Sequence, residues 1–195
     1  MATLILSTVG TALGGPIGGA IGAVLGRVVD SAVIGTPTRQ GPRLTELAVS
    51  TSSYGQPVPR VFGTMRVPGA IIWATELVES SQTSGGKGQP KTTTYSYAIS
   101  FAVALSSRPV AAIGRIWADG ALLRGSAGDL KVGGVMRLHK GTGDDEVDPL
   151  IVADKVAQGC AFRDLAYLVF EDLELASFGN RLPALSFEVI APDGT

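Results

Sequence analysis

Charged and redox-active side chains are scarce in this 195-residue chain, which narrows the possible functions. Its single cysteine, Cys160, excludes an internal disulfide and a cysteine-based zinc site. Its single histidine, His139, leaves too few imidazoles for most metal sites and acid–base groups. Charged residues make up 17% of the chain and the net charge is −1, so no basic surface indicates nucleic acid. We therefore expect no sequence-specific binding of nucleic acid.

Enzyme motifs are missing as well. There is no Gly-x-Ser-x-Gly segment, and neither a phosphate-binding loop nor a dinucleotide-binding glycine pattern follows a strand. A glycosidase needs only two carboxylates, but Glu171, Asp172 and Glu174 lie where a strand runs into a polar loop, as solvent-facing acids do. The sequence predicts no enzyme, no cofactor and no metal ion.

Charge is absent altogether from residues 2–26, where glycine recurs at every fourth position. This stripe consists of Gly10, Gly14, Gly18, Gly22 and Gly26. In a helix of about 3.6 residues per turn, positions four apart drift by only about 40° per step, so the stripe forms a flat groove for a second backbone. No basic residue precedes the apolar run and no clear A-x-A site follows it, which is unlike a secretory signal peptide.

Three interpretations of this segment remain open: a helix packed in protein or lining a lumen, a membrane-active helix, and a flexible arm. Seven glycines and Pro16 weaken a transmembrane interpretation, because each glycine costs about 1 kcal/mol of helix propensity. We favour the protein-packed helix. We expect it to be largely helical over residues 3–30, interrupted at Pro16, with the stripe facing a neighbouring helix.

Beyond this helix the sequence predicts a linker and then a β-rich body. The expected parts are residues 1–33 as the helix, 34–42 as a linker containing proline and glycine, and 43–195 as the β-rich domain. Strict alternation over residues 94–105 predicts a half-buried strand. The large face of that strand consists of Tyr95, Tyr97, Ile99, Phe101, Val103 and Leu105. Its other face is small and uncharged, which indicates that it is covered too.

Polar signals place the turns and the one helix of the body. Residues 80–93 hold no large apolar side chain and are expected to form an exposed hairpin loop. Asp119 and Gly120 between apolar runs predict a tight hairpin. A helix is expected to begin at Asp148 as the N-cap and to end at Gly159. The acids at 144–146 are interpreted as favourable charge at the start of this helix, and His139 as a surface strand residue.

Residues 166–189, AYLVFEDLELASFGNRLPALSFEV, carry a specific resemblance. They are similar to a motif near the start of the large, megatron-like tail-tip hub proteins of siphophages and gene transfer agents. That family is related to the central tail-tip, host-interaction protein of lambda-like phages. Further pieces match in the same order: YGQPVPRVFGTMRVPGAIIWAT, YSYAISFAVAL, IGRIWADGALL and DPLIVADKV.

The resemblance implies a structural virion protein. Family members form a threefold, β-barrel-like hub that closes the distal end of a non-contractile tail and opens for DNA release. The implied partners are two further copies, the distal tail protein and other tail-tip proteins, and the tape-measure protein in the lumen. The protein is expected at the distal tail tip, after assembly in the host cytoplasm. Family members commonly run far beyond this length, so a split form or the N-terminal piece of a longer hub is expected.

Two alternatives stand beside the hub: a membrane-active pore former that uses the N-terminal helix during DNA delivery, and an accessory to an enzyme. Within the family motif we expect a tight turn built from Gly179, Asn180, Arg181 and Pro183. Glycine and asparagine tolerate left-handed backbone angles there, and the arginine is expected to bind carbonyls or a nearby carboxylate such as Glu171 or Asp172.

Overall fold

The computed structural model describes residues 2–33, 39–40, 57–85, 91–154 and 159–192. The elements in chain order are α1 (Ala2–Val33), β1 (Arg39–Gln40), β2 (Thr64–Pro68), β3 (Ala70–Ala74), β4 (Val78–Ser84), β5 (Thr92–Ser106), β6 (Ala112–Ala118), β7 (Ala121–Arg124), β8 (Val135–His139), α2 (Pro149–Ala153), β9 (Ala166–Glu174), a 3-10 turn (Ala176–Phe178) and β10 (Leu185–Ile190). A mainly β fold with an N-terminal apolar helix and one short body helix is thereby confirmed.

The chain divides into two compact units. One unit is Met1–Arg43 with Ser81–Tyr95, and the other is Leu44–Ser80 with Ser96–Thr195. The sequence instead assigned all of residues 43–195 to one body. Apart from Arg39 and Gln40, the expected linker lies outside the described residues.

The first unit contains α1 and the outer part of the β4–β5 hairpin. Strand β1 pairs in parallel with the start of β5, Arg39 opposite Thr92 and Gln40 opposite Thr93. The loop predicted over residues 80–93 is therefore shorter than expected, because β4 continues to Ser84 and β5 already begins at Thr92. Every residue of β4 is exposed, so this strand forms by backbone pairing with β5 and not by burial of its side chains.

The described strands form two sheets. In the first sheet the described strands follow the order β1-β5-β9-β8, and β3 and β4 also pair with β5. In the second the order is β2-β10-β6-β7. The chain crosses from β2 to β3, and so from one sheet to the other, at Gly69. A Cβ at Gly69 would lie 2.0 Å from Val103 Cγ1 and 2.6 Å from a Phe187 ring carbon, so only glycine fits between the sheets there.

The main core lies between the sheets and is aromatic at its centre. Phe101 on β5 stacks on Phe170 of β9 with ring centroids 5.0 Å apart. Phe170 in turn contacts Phe187 of β10 at 6.4 Å. Of the alternating set predicted on β5, the residues from Tyr97 to Leu105 are buried, whereas Tyr95 is half-buried.

The opposite face of β5 is also covered, as its small side chains predict. Ala102 packs there with Tyr167 and Val169 of β9, Trp73 of β3 and Ile151 of α2. Asp148 caps α2 by accepting a hydrogen bond from the Leu150 amide, and Pro149 occupies the first turn, as predicted. The predicted end of this helix at Gly159 is wrong, because α2 ends at Ala153 and the next residue has extended backbone angles.

Candidate interaction surfaces

Helix α1 consists of two helical arms, residues 2–13 and 16–33, rather than one kinked helix. The break lies at Gly14 and Gly15, directly before Pro16. Gly15 has φ 62° and ψ −155°, a conformation that is essentially restricted to glycine. Pro16 then begins the second arm, where its missing N–H costs no hydrogen bond. The helix that the glycine stripe faces is therefore the other arm of the same chain.

Four of the five stripe glycines lie where the two arms touch. A Cβ at Gly18 would be 2.3 Å from the Gly10 carbonyl oxygen, and one at Gly10 would be 2.2 Å from that of Gly18. A Cβ at Gly22 would be 2.1 Å from the Leu6 oxygen, and one at Gly26 would be 2.3 Å from Thr3 Cα. Gly14, at the break, has no such neighbour within 4 Å.

Asp30 joins the open end of this helical hairpin. Its carboxylate accepts hydrogen bonds from the amides of Ala2 at 2.7 Å and Thr3 at 2.8 Å, and from the Thr3 hydroxyl at 2.5 Å. The first amides of a helix have no partner within the helix, and they favour a negative charge. One residue of the second arm thus caps the first arm and closes the hairpin.

The outer surface of the hairpin is apolar. Its large exposed side chains are Leu4, Ile5, Val9, Leu13, Ile17, Ile21, Val24, Leu25, Val28 and Val29. The hydroxyls of Ser7, Thr8 and Thr11 each donate to a backbone carbonyl of the same arm. By length and composition alone, residues 2–30 would suffice to cross a membrane as one helix, since they contain an 18-residue stretch with a mean hydropathy of 1.5.

The family-motif turn has the backbone geometry that its residues predict. Gly179 has φ 66° and Asn180 φ 57°, and the Asn180 amide donates to the Leu175 carbonyl at 2.9 Å. Arg181 binds a carboxylate, as expected, but it is neither of the two acids named as examples. Its guanidinium donates to Asp119 at 2.7 Å, whereas Glu171 and Asp172 lie in β9. Pro183 is buried.

Asp119 connects two turns that are far apart in the sequence. It has φ 49° and forms with Gly120 the predicted hairpin turn between β6 and β7. Its carboxylate also accepts from the Ala184 amide at 2.9 Å, and its own amide donates to the Ala184 carbonyl. The motif turn is thus tied to the β6–β7 turn through one aspartate.

Asp148 is the centre of a polar cluster that the sequence did not reveal. Its side chain is fully buried, and Arg137 of β8 donates two hydrogen bonds to it, from Nε at 2.8 Å and from Nη2 at 3.0 Å. His139 Nε2 lies 3.0 Å from the same carboxylate. Burial would raise the pKa of Asp148, but the hydrogen bonds from Arg137 and His139 outweigh it and hold that pKa below its usual value.

The prediction that His139 is a surface residue is wrong. Its side chain is only 15% exposed, and its ring stacks on Tyr167 with centroids 4.3 Å apart. The Tyr167 hydroxyl is buried and has no hydrogen-bond partner among the described residues. Burial first, and then the charge of Asp148, raise the pKa of Tyr167 to about 12. The signal for this cluster was the i, i+2 spacing of Arg137 and His139, which puts both on one face of a strand.

Glu171, Asp172 and Glu174 lie within β9 and not in a loop, but Asp172 and Glu174 are exposed, as expected of solvent-facing acids. Glu171 binds Arg137. The Asp172 amide donates to the Ser100 hydroxyl at 2.9 Å, and Asp172 has φ 50° at an irregularity in the β5–β9 pairing. Within the described part of the chain, no group of three or more histidine, cysteine, aspartate or glutamate side chains is arranged to hold a metal ion.

Comparison with known proteins gives one solved structure to which the whole chain can be related. No protein-family model and no curated protein matches. A chain of the structure titled "Virion of native gene transfer agent (GTA) particle" is 37% identical, with a TM-score of 0.54. This chain is similar to a virion component. The match covers 97% of this chain and 39% of the other, so it spans about two fifths of its relative.

Proposed function

We propose that this chain is a structural protein of a phage-like tail, in a gene transfer agent or a siphophage, and forms the threefold hub at the distal tail tip. The observation that carries the proposal is the 37% identity over 97% of the chain with a chain of a gene transfer agent virion. The resemblance of residues 166–189 to the tail-tip hub motif supports a position at the tail tip. The distal tail protein, other tail-tip proteins and the tape-measure protein are then its neighbours.

The fold suits a structural protein that must withstand force. Its aromatic core, its buried Asp148 cluster and the Asp119 link join residues far apart in the sequence. Such long-range contacts resist local opening, which a protein that closes a DNA-filled tube requires. The hub needs no catalytic residue for this work.

Imaging of assembled particles tests the proposal. We expect cryo-electron microscopy of particles from a producing strain to show three copies of this fold around the axis at the distal end of the tail. Deletion of the gene should leave tails that lack a closed tip. Density for this fold in the capsid, in a six-copy ring or in no part of the particle would contradict the proposal.

A second function, insertion into the host membrane during DNA delivery, is favoured by the surface of the hairpin. A helix that is apolar on all sides is stable in water only when something covers it. The hydroxyl groups of the first arm are already satisfied by its own backbone, as lipid requires. The two arms of the closed hairpin, residues 2–13 and 16–33, are about 18 and 27 Å long. The first arm is therefore shorter than a hydrocarbon core of about 30 Å, and a full crossing requires the hairpin to open.

Liposome flotation of the full chain separates this function from a purely structural one. We expect the wild-type chain to float with liposomes. Leu13→Asp with Ile17→Asp, at the tip of the hairpin where the side chains are 86% and 75% exposed, should abolish flotation. The matched control is Val152→Asp, an exposed apolar residue of α2. Equal flotation of all three proteins, or of none, would exclude a membrane role of the hairpin.

A further inference from the structure

The outer face of the second sheet carries an exposed arginine that is held by two contacts. The guanidinium of Arg66 on β2 lies over the ring of Trp117 on β6, 4.1 Å from its centroid. Its Nε donates to the Ser186 hydroxyl of β10 at 2.8 Å. Among the described residues, its two terminal nitrogens have neither a hydrogen bond nor an ion pair. Arg66 is therefore oriented, but its charge is not neutralised.

The neighbouring arginine is different. Arg115 lies 5.6 Å from the same tryptophan ring, and its Nη2 binds Glu188 at 2.8 Å while its Nε binds the other carboxylate oxygen at 3.1 Å. These hydrogen bonds, with one from the Arg115 amide, lower the pKa of Glu188 to about 2. The pair is thus ionised and neutral overall. Arg66, by contrast, has no carboxylate among the described residues, so its positive charge is not neutralised.

An ordered arginine without a carboxylate is suited to binding. Holding a surface arginine in one conformation loses side-chain entropy, and exposed charges return little stability to a fold. The same ordering lowers the entropy lost when a partner binds. Arginine and tryptophan side by side are also the residues that dominate protein interfaces, and the guanidinium fork matches a carboxylate.

We propose that Arg66 and Trp117 form a subunit contact that receives the acidic turn of a neighbouring copy, residues 143–146; this inference rests on the proposed threefold hub. In that turn Asp145 accepts a hydrogen bond from the Thr142 amide. Asp144 and Glu146 are exposed and have no partner among the described residues. The described residues thus include an oriented guanidinium without a carboxylate and, on a different element, two exposed carboxylates without a partner.

A closed ring of identical subunits brings such sites together. Three copies around an axis meet through two different surfaces of the same chain, so complementary charges on separate elements neutralise each other around the ring. Arg66 lies on β2 of the second sheet, whereas the acidic turn follows β8 of the first sheet. Charge complementarity therefore favours another copy over a different protein as the occupant.

Charge reversal in the full chain tests this contact. Self-association is measured by sedimentation velocity and mass photometry at low and high salt, and circular dichroism checks that each variant is folded. We expect Arg66→Glu to raise the concentration at the midpoint of trimer formation at least tenfold. Arg66→Lys should also weaken association, because lysine lacks the planar fork. Lys131→Glu, the same charge change at another exposed residue, is the control and should have no effect.

The rescue variant identifies the occupant. Asp144→Lys with Glu146→Lys should weaken association as Arg66→Glu does, and all three changes together should restore it to within threefold of wild type. Failure of this rescue overturns the acidic turn as the occupant. A trimer that Arg66→Glu leaves unchanged overturns the contact while the hub proposal stands. A wild-type chain that stays monomeric at every concentration overturns the contact, and imaging of particles then decides the hub separately.

Discussion

Alanine in place of the glycines of the α1 hairpin sets two physical effects against each other. Helix propensity predicts that Gly18→Ala and Gly22→Ala stabilise the arms by about 1 kcal/mol per site. Packing predicts the reverse. The new Cβ atoms would lie 2.3 Å from the Gly10 oxygen and 2.1 Å from the Leu6 oxygen. Carbon–oxygen contacts are ordinarily at least about 3.3 Å, so the arms must separate by about 1 Å.

The packing effect is expected to be the larger one. Overpacking of this kind costs about 1–3 kcal/mol per site, and the two carbonyl oxygens belong to backbone that cannot rotate away. With both sites changed, and with the propensity gain subtracted, the closed hairpin is destabilised by about 2 kcal/mol. That free energy corresponds to about a 30-fold loss of amide protection.

Hydrogen–deuterium exchange of the full chain, followed by mass spectrometry, measures this loss in peptides from residues 3–13. Gly14→Ala is the matched control, because no atom lies within 4 Å of its Cβ and its φ of −131° suits alanine. We expect faster exchange in the double variant and unchanged exchange in the control. Slower exchange in the double variant would refute the packing argument and show that propensity dominates.

Three further experiments test the body. Asp148→Asn should destabilise the fold by about 1–3 kcal/mol in urea unfolding, because it weakens the charge-assisted hydrogen bonds at a fully buried side chain, while Arg137, which is 30% exposed, keeps Glu171 as a charge partner. Because the pKa of Asp148 is lowered in the folded state, its contribution to the free energy of unfolding is complete above pH of about 4 and is lost as the pH falls toward the lowered value. The Asp148→Asn variant should lack this loss of stability in acid. Equal acid sensitivity of variant and wild type would contradict the role given to Asp148. Phe101→Ser should cost about 3–5 kcal/mol in the same assay, since it opens a cavity and buries a hydroxyl between the sheets; a loss below about 1 kcal/mol would contradict this core position. A double-mutant cycle of Arg181→Ala and Asp119→Ala should give a coupling energy below about 1 kcal/mol, because the pair is exposed; Asp119→Ala alone should cost more, as it also removes the acceptor for the Ala184 amide.

Local signals were sufficient for much of the fold. Alternation along residues 94–105 predicted β5, and Asp119 with Gly120 predicted the β6–β7 turn, because each pattern is set by neighbours within a few residues. The left-handed turn at Gly179 and Asn180 was predictable for the same reason. The apolar character of α1 and its break near Pro16 also follow from composition and from the missing proline amide.

Partners across the chain were not predictable in the same way. Arg181 binds Asp119 and not Glu171 or Asp172, which are nearer in the sequence. The reason is that β9 and β10 belong to different sheets, so the motif turn between them reaches the β6–β7 turn. His139 is drawn away from the surface, to 15% side-chain exposure, because Asp148, which locally is only a helix cap, also accepts hydrogen bonds from β8. Local sequence sets backbone angles and the spacing of faces. The tertiary structure decides which charged residues become neighbours and that the glycine stripe packs against its own chain. Coulomb and packing energies depend on distance in space and not on separation along the sequence.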